Sequence, residues 1–185
     1  MFYVIDFGSK KTPHIAEYLR KAGATCEVVP WLEPGRVELS KARGMVFSGS
    51  PTFFTEVDHA PYISRYSFVK SGNIPTLGIC FGHQLMGLLH GSMIFRGRDI
   101  RETVPLRIMK RDVLFEGLSR ITEMAEDHTE GITLPPGFIH LATSGTYTIE
   151  GMRHPHLPLW GVQFHPEVSG LNGETLIANF VRACS

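Results

Sequence analysis

The sequence predicts one α/β domain, residues 1–185, built on a mostly parallel sheet. Three observations carry that reading. The chain opens with an apolar run, an amphipathic stretch and a second apolar run. The alternation then repeats as far as His90. Beyond Met93 it gives way to short strand-like runs with few helices between them, which places some antiparallel strands in the C-terminal half.

Phe2 to Ile5 reads as a buried strand closed by the turn Asp6-Phe7-Gly8-Ser9. Thr12 is the expected N-cap of the first helix, with Pro13 at its first position, where a missing N–H costs nothing. Ile15, Tyr18, Leu19 and Ala22 follow at i, i+3, i+4 and i+7, an apolar stripe on one helix face. Gly23 ends that helix, and Thr25 to Val29 supplies the second strand. Val37 to Ala42 reads as a short helix, Gly44 to Phe47 as a strand and Tyr62 to Lys70 as a helix. Pro75 to Ile79 is the next strand and His83 to His90 the next helix. Thr103 to Met109, Met124 to Glu126, Phe138 to Ala142 and Tyr147 to Met152 read as shorter strands. A final strand, Leu159 to Phe164, precedes a helix near Glu174 to Arg182, with Leu176, Ile177, Phe180 and Val181 on one face.

Composition narrows the function classes. Lys plus Arg and Asp plus Glu both number 18, so there is no basic excess to attract nucleic acid. No apolar run reaches the roughly 18 residues of a membrane span, and the N-terminus lacks a signal-peptide pattern. The three cysteines, Cys26, Cys80 and Cys184, have neither paired nor metal-ligand spacing, which fits a reducing, cytoplasmic setting. His154-Pro155-His156 has no further ligand at metal-site spacing and reads as a turn, so neither a metal nor a cofactor is expected.

The stretch Leu77-Gly78-Ile79-Cys80-Phe81-Gly82-His83-Gln84 runs an apolar strand into G-x-C-x-G and straight into a helix. It is the thiol counterpart of the G-x-S-x-G elbow, in which a sharp turn projects a nucleophile from the sheet edge. The flanking glycines leave room for strand and helix to approach. The helix N-terminus supplies a dipole that favours thiolate and free N–H groups for an oxyanion. Trp160-Gly161-Val162-Gln163-Phe164-His165-Pro166-Glu167 supplies a base, His165, and an orienting carboxylate, Glu167. Phe47-Ser48-Gly49-Ser50-Pro51 follows a strand expected beside that of Cys80. Its Ser50 N–H and that of Phe81 are candidate oxyanion donors.

With these pieces in place, the chain resembles the class I (triad-type) glutamine amidotransferases almost end to end. Gly78 to Gln84 looks like their nucleophile signature and Gly161 to Glu167 like their histidine–glutamate signature. Asp6-Phe7-Gly8-Ser9 and Leu134-Pro135-Pro136-Gly137-Phe138 resemble most the amidotransferase part of GMP synthases. The resemblance implies a flavodoxin-like three-layer fold with helices on both faces of the sheet. It implies glutamine hydrolysis through a Cys80 thioester, with His165 as acid and base and Glu167 orienting it. By the same carry-over Gln84, His128, Thr129 and Glu130 bind the substrate, Glu130 meeting its amino group. The oxyanion loop departs from the family's usual G-G-P or N-G-P in having Gly49-Ser50-Pro51, a change that keeps the backbone donor. No Gly-rich phosphate loop with lysine is present, so the resemblance implies a glutaminase subunit that passes ammonia to an ATP-pyrophosphatase partner. The loops around Phe53-Phe54 and Glu123 to Glu130 are the expected docking surface. An anthranilate synthase-type subunit, a stand-alone γ-glutamyl hydrolase and a non-catalytic glutamine sensor are the alternatives.

Overall fold

A nine-stranded sheet divides the molecule into two helical layers; the computed structural model describes Met1–Cys184. The first half alternates as the sequence predicts: β1 (Phe2–Asp6), α1 (Thr12–Lys21), β2 (Cys26–Pro30), β3 (Gly44–Phe47), α2 (Ala60–Tyr66), β4 (Thr76–Ile79) and α3 (Phe81–Leu89). The second half is strand-rich: β5 (Ile94–Ile100), β6 (Thr103–Ile108), β7 (Ile121–Ala125), β8 (His128–Ile132), β9 (Ile139–Thr143), β10 (Gly151–Arg153) and β11 (Leu159–Val162), closed by α4 (Gly170–Ala183).

Five strands run parallel in the order β2-β1-β3-β4-β11, the 2-1-3-4-5 winding of flavodoxin-like sheets. β10, β9, β6 and β7 continue the sheet antiparallel beyond β11. The parallel strands are apolar on both faces because helices cover both. Tyr3 and Ile5 of β1 join Phe47, Leu85 and Met86 in one core beneath α2 and α3. Phe2 and Val4 join Ile15, Leu19, Leu176 and Phe180 in the other, beneath α1 and α4. Full burial of each such side chain contributes about 1.5–3 kcal/mol of transfer free energy. At the β7 edge the Ala125 N–H donates to Ser169 Oγ (2.9 Å), and Asn172 Nδ2 donates to the Glu123 carbonyl (3.1 Å). The start of α4 thereby occupies backbone groups that an edge strand would otherwise leave open.

The structure departs from the sequence reading in four places. Thr12 does not cap α1: Lys11 precedes the helix without a side-chain cap bond, and the Thr12 hydroxyl donates to Asp6 Oδ1 at 2.7 Å. Val37 to Ala42 forms no α-helix, only a 3-10 turn over Leu39–Lys41. The strand expected from Tyr147 shrinks to Gly151–Arg153. Tyr147 instead turns inward, its hydroxyl 2.8 Å from the carbonyl oxygens of both Arg98 and Thr129. Finally, β5 and β8, which the sequence reading does not contain, pair as a separate two-stranded ribbon. No helix among the described residues is long and apolar enough to cross a membrane.

Candidate active site

β4 delivers Cys80 to the carboxyl end of the parallel sheet, and α3 starts at the next residue. Cys80 has φ 51° and ψ −105°, and it alone of the described non-glycine residues has a positive φ. A side chain in such a region costs about 1–3 kcal/mol and persists only where surrounding packing enforces it. Two glycines make the bend possible. A Cβ on Gly78 would lie 2.4 Å from the Gly82 carbonyl oxygen, and one on Gly82 would lie 2.5 Å from the Phe47 Cβ. Strand and helix approach too closely for any larger residue.

His165 arrives from the end of β11, the strand paired with β4. Its backbone N–H donates to the Ala125 carbonyl at 2.8 Å, forming a bridge to β7. Its carbonyl accepts from the Ser169 hydroxyl at 2.6 Å. The backbone is therefore held from two sides. On the ring, Nδ1 lies 2.7 Å from Glu167 Oε1, and the Cys80 side chain is near enough to favour the charged imidazole. All three residues are buried. Burial disfavours the imidazolium, but the charges and hydrogen bonds of Glu167 and Cys80 outweigh it and push His165 up to about 10. The surroundings of the ring thus favour the imidazolium over the neutral imidazole. An accessible hollow of about 380 Å3 opens beside His165, with Lys11, Arg101, Glu126 and Asp127 among its walls. A larger one, about 970 Å3, lies at the far side around Met109–Arg120 and contains neither cysteine nor histidine.

The loop after β3 lies against this pair. A Cβ on Gly49 would be 3.0 Å from His165 Cε1 and 3.7 Å from Cys80 Cβ. Ser48 fixes the start of the loop: its hydroxyl oxygen accepts from the Phe7 N–H (2.9 Å) and its carbonyl from the Gly82 N–H (3.1 Å). Ser50 Oγ accepts from the Thr52 N–H at 3.1 Å, a local turn that leaves Ser50 half-buried beside the elbow. Phe81 is the first residue of α3, where a backbone N–H has no intrahelical acceptor.

The remaining candidates form a second group. Gln84 Nε2 donates to the Glu130 carbonyl (3.1 Å) and to Gln163 Oε1 (3.3 Å). His128 Nδ1 lies 2.9 Å from the same Glu130 carbonyl, and its Nε2 is hydrogen-bonded directly to Glu126. Thr129 donates to Asp99 Oδ1 on the exposed ribbon (2.8 Å). Glu130 Oε2 accepts from the Phe54 N–H (2.9 Å), and its Oε1 from the Thr55 N–H (2.8 Å) and hydroxyl (2.5 Å). The structure therefore brings Cys80, His165, Glu167, Phe81 and the Ser50 loop together. Gln84, His128 and Glu130 form an adjoining hydrogen-bonded group, with Thr129 on its outer side. Phe54, expected to be exposed for docking, is 1 % exposed, and its ring stacks on Phe81.

Sequence reasoning did not find a buried polar cluster behind this group. Glu126, His128 and Glu150 place possible ligand atoms within 4.8 Å of one another. Burial, followed by the charge of Glu126, holds the Glu150 carboxyl well above the usual carboxylate range. Burial pulls nearby His83 down to about 3, with the charge of His128 adding to the effect. Nothing in the local pattern marks Glu126 and Glu150 as buried, although each has a hydrogen-bond partner close in sequence, His128 and Ser144.

Residues 3–184 match the family model for glutamine amidotransferase class-I. The chain belongs to the class I glutamine amidotransferases. This amidotransferase is 34 % identical over 188 residues to the glutamine-hydrolyzing GMP synthase subunit of Pyrococcus abyssi, covering all of this chain and 98 % of that one. The corresponding subunit of Methanosarcina barkeri is 39 % identical over 144 residues, 76 % of this chain and 73 % of its own. Among solved structures, a proposed GMP synthase subunit from Thermoplasma acidophilum superposes with a TM-score of 0.89 at 28 % identity, covering 99 % of this chain and 92 % of that one. A glutamine amidotransferase from Thermotoga maritima, at 19 % identity and TM-score 0.78, shares the fold over 90 % of this chain and 76 % of its own.

Proposed function

We propose that this amidotransferase hydrolyses glutamine to glutamate and ammonia with Cys80 as nucleophile, and that it delivers the ammonia to a separate synthetase that aminates XMP to GMP. The observation that carries the reading is Cys80 held at a forced elbow beside an imidazole whose Nδ1 is hydrogen-bonded to Glu167. Cys80 Sγ attacks the side-chain amide carbon of glutamine, and the carbonyl oxygen takes the negative charge. The N–H groups of Phe81 and Ser50 receive that charge. The protonated His165 gives its proton to the departing nitrogen, so ammonia leaves and a glutamyl thioester remains. Neutral His165 then takes a proton from water as it attacks the thioester, the sulfur departs as thiolate, and the pair of imidazolium and thiolate is restored while the product acid ionises to glutamate. Glu167 holds the ring through Nδ1 in both steps. Each step balances without a cofactor.

Residues 1–185 act as a single amidotransferase domain, and three unpaired thiols suit a reducing, cytoplasmic setting. The GMP synthase assignment and the synthetase partner rest on the names of the relatives, each a GMP synthase subunit. Glutamine hydrolysis should be measured alone and with an ATP-pyrophosphatase partner, XMP and ATP, alongside Cys80→Ala. Glutamine-dependent GMP formation that disappears with Cys80→Ala supports the whole reading. Turnover that survives Cys80→Ala refutes the nucleophile, and ammonia that never reaches XMP refutes the acceptor.

A further inference from the structure

We infer that Glu130 is a positioning residue, not a substrate ligand: it sets the oxyanion loop against the nucleophile elbow. The inference rests on the glutaminase reading above and deepens it. Both carboxylate oxygens of Glu130 are occupied within the protein. One accepts from the Phe54 N–H and the other from the N–H and hydroxyl of Thr55. Glu130 is 2 % exposed, so those bonds are sheltered from competing water. A carboxylate with both oxygens so engaged has little capacity left for an ammonium group of glutamine.

The bonds close a circuit around the site. The Glu130 carbonyl accepts from Gln84, which lies on the nucleophile helix α3. Its carboxylate holds Phe54 and Thr55, and the ring of Phe54 returns to Phe81 at 3.9 Å between centroids and 10° between planes. Phe81 follows Cys80 directly. The segment from Gly49 to Phe53 therefore spans two fixed points, Ser48 bonded to Gly82 at one end and Phe54 bonded to Glu130 at the other. Ser50, the proposed donor, lies between them. Releasing the Glu130 end frees the donor while leaving the sulfur, imidazole and Glu167 where they are.

The test separates oxyanion positioning from everything else at the site. Glutamine turnover and the rate of Cys80 alkylation by iodoacetamide should be measured on the full chain with its synthetase partner. Alkylation is a displacement at saturated carbon, develops no oxyanion, and reports only the thiol. In Glu130→Gln, kcat is expected to fall by about tenfold or more, with KM and the alkylation rate each within about threefold of the parent. Thr55→Val, which removes only the hydroxyl bond, should give a smaller fall of the same kind and serves if Glu130→Gln does not fold. Amide exchange at Phe54 and Thr55 should quicken in both variants. A rise in KM at unchanged kcat would return Glu130 to the substrate's amino group and overturn the inference. An equal loss of alkylation and turnover would overturn it too, by showing general collapse of the site. Failure of the underlying reading looks different: glutamine turnover would then persist in Cys80→Ala.

Discussion

Phe54 lies flat on Phe81, with ring centroids 3.9 Å apart and planes within 10°. The stack joins the loop after β3 to the first residue of the nucleophile helix, so a docking residue expected from the sequence is in fact part of the site's support. Phe54→Ala should lower stability by about 3–5 kcal/mol, the range for truncating a buried phenylalanine, read from denaturant midpoints. Phe54→Leu, which fills more of the volume without the stack, should recover much of the stability but less of the turnover.

The backbone strain at Cys80 can be measured directly. Glycine adopts φ near 51° without a Cβ penalty. Cys80→Gly should therefore raise unfolding free energy by about 1 kcal/mol relative to Cys80→Ala, with turnover lost in both. Equal stabilities would mean that the elbow stores no strain.

Gly78 and Gly82 permit no side chain. Gly78→Ala would drive a methyl to within 2.4 Å of the Gly82 carbonyl. A destabilisation of about 1–3 kcal/mol or more is expected, together with slower alkylation of Cys80 as the elbow opens. Thermal unfolding and an alkylation time course check both halves of that statement.

The Glu150 carboxyl makes stability depend on pH. Burial holds its folded value above the ordinary 4.5, so the folded state keeps a proton that the unfolded chain releases. The stabilisation is complete below that unfolded value and is lost as pH rises towards the folded one. Glu150→Gln, which keeps the shape and a donor towards Glu126 but cannot ionise, should remove the loss. Its stability relative to the parent should increase as pH rises above that unfolded value, as followed by denaturant midpoints.

His165 should set an alkaline limb of activity. Burial works to lower its ring, but the Glu167 charge leads the influences that raise it to about 10. Turnover should accordingly decline near that pH as the ring loses its proton. Glu167→Gln should move the limb downwards as well as reduce kcat, and a limb that stays in place would detach it from His165.

The elements that the sequence reveals are those whose burial is local and periodic. β1, α1, β4 and α3 declare themselves because the residues of each face one core in a regular pattern, and the two glycines of the elbow mark the closest approach of strand and helix. β5 is hidden because five of its seven residues are exposed, so it carries no periodic apolar face. β8, His-Thr-Glu-Gly-Ile, is mostly buried yet reads as polar, since the adjacent Glu126 and the distant Phe54–Thr55 loop satisfy its side chains. Cys80, His165 and Glu167, which the structure brings together, were legible as motifs. The carboxylate cluster and the anchoring role of Glu130 were not, because both depend on contacts that sequence spacing does not encode.

The backbone pairing of His165 with Ala125 adds a tie from the antiparallel wing to an imidazole that β11 already carries beside β4. Warming that loosens the wing would remove that tie and free the His165 ring to shift from Cys80 before the helices melt. Inactivation should thus run ahead of the loss of helical circular dichroism, making catalysis an early gauge of how firmly the two halves are joined.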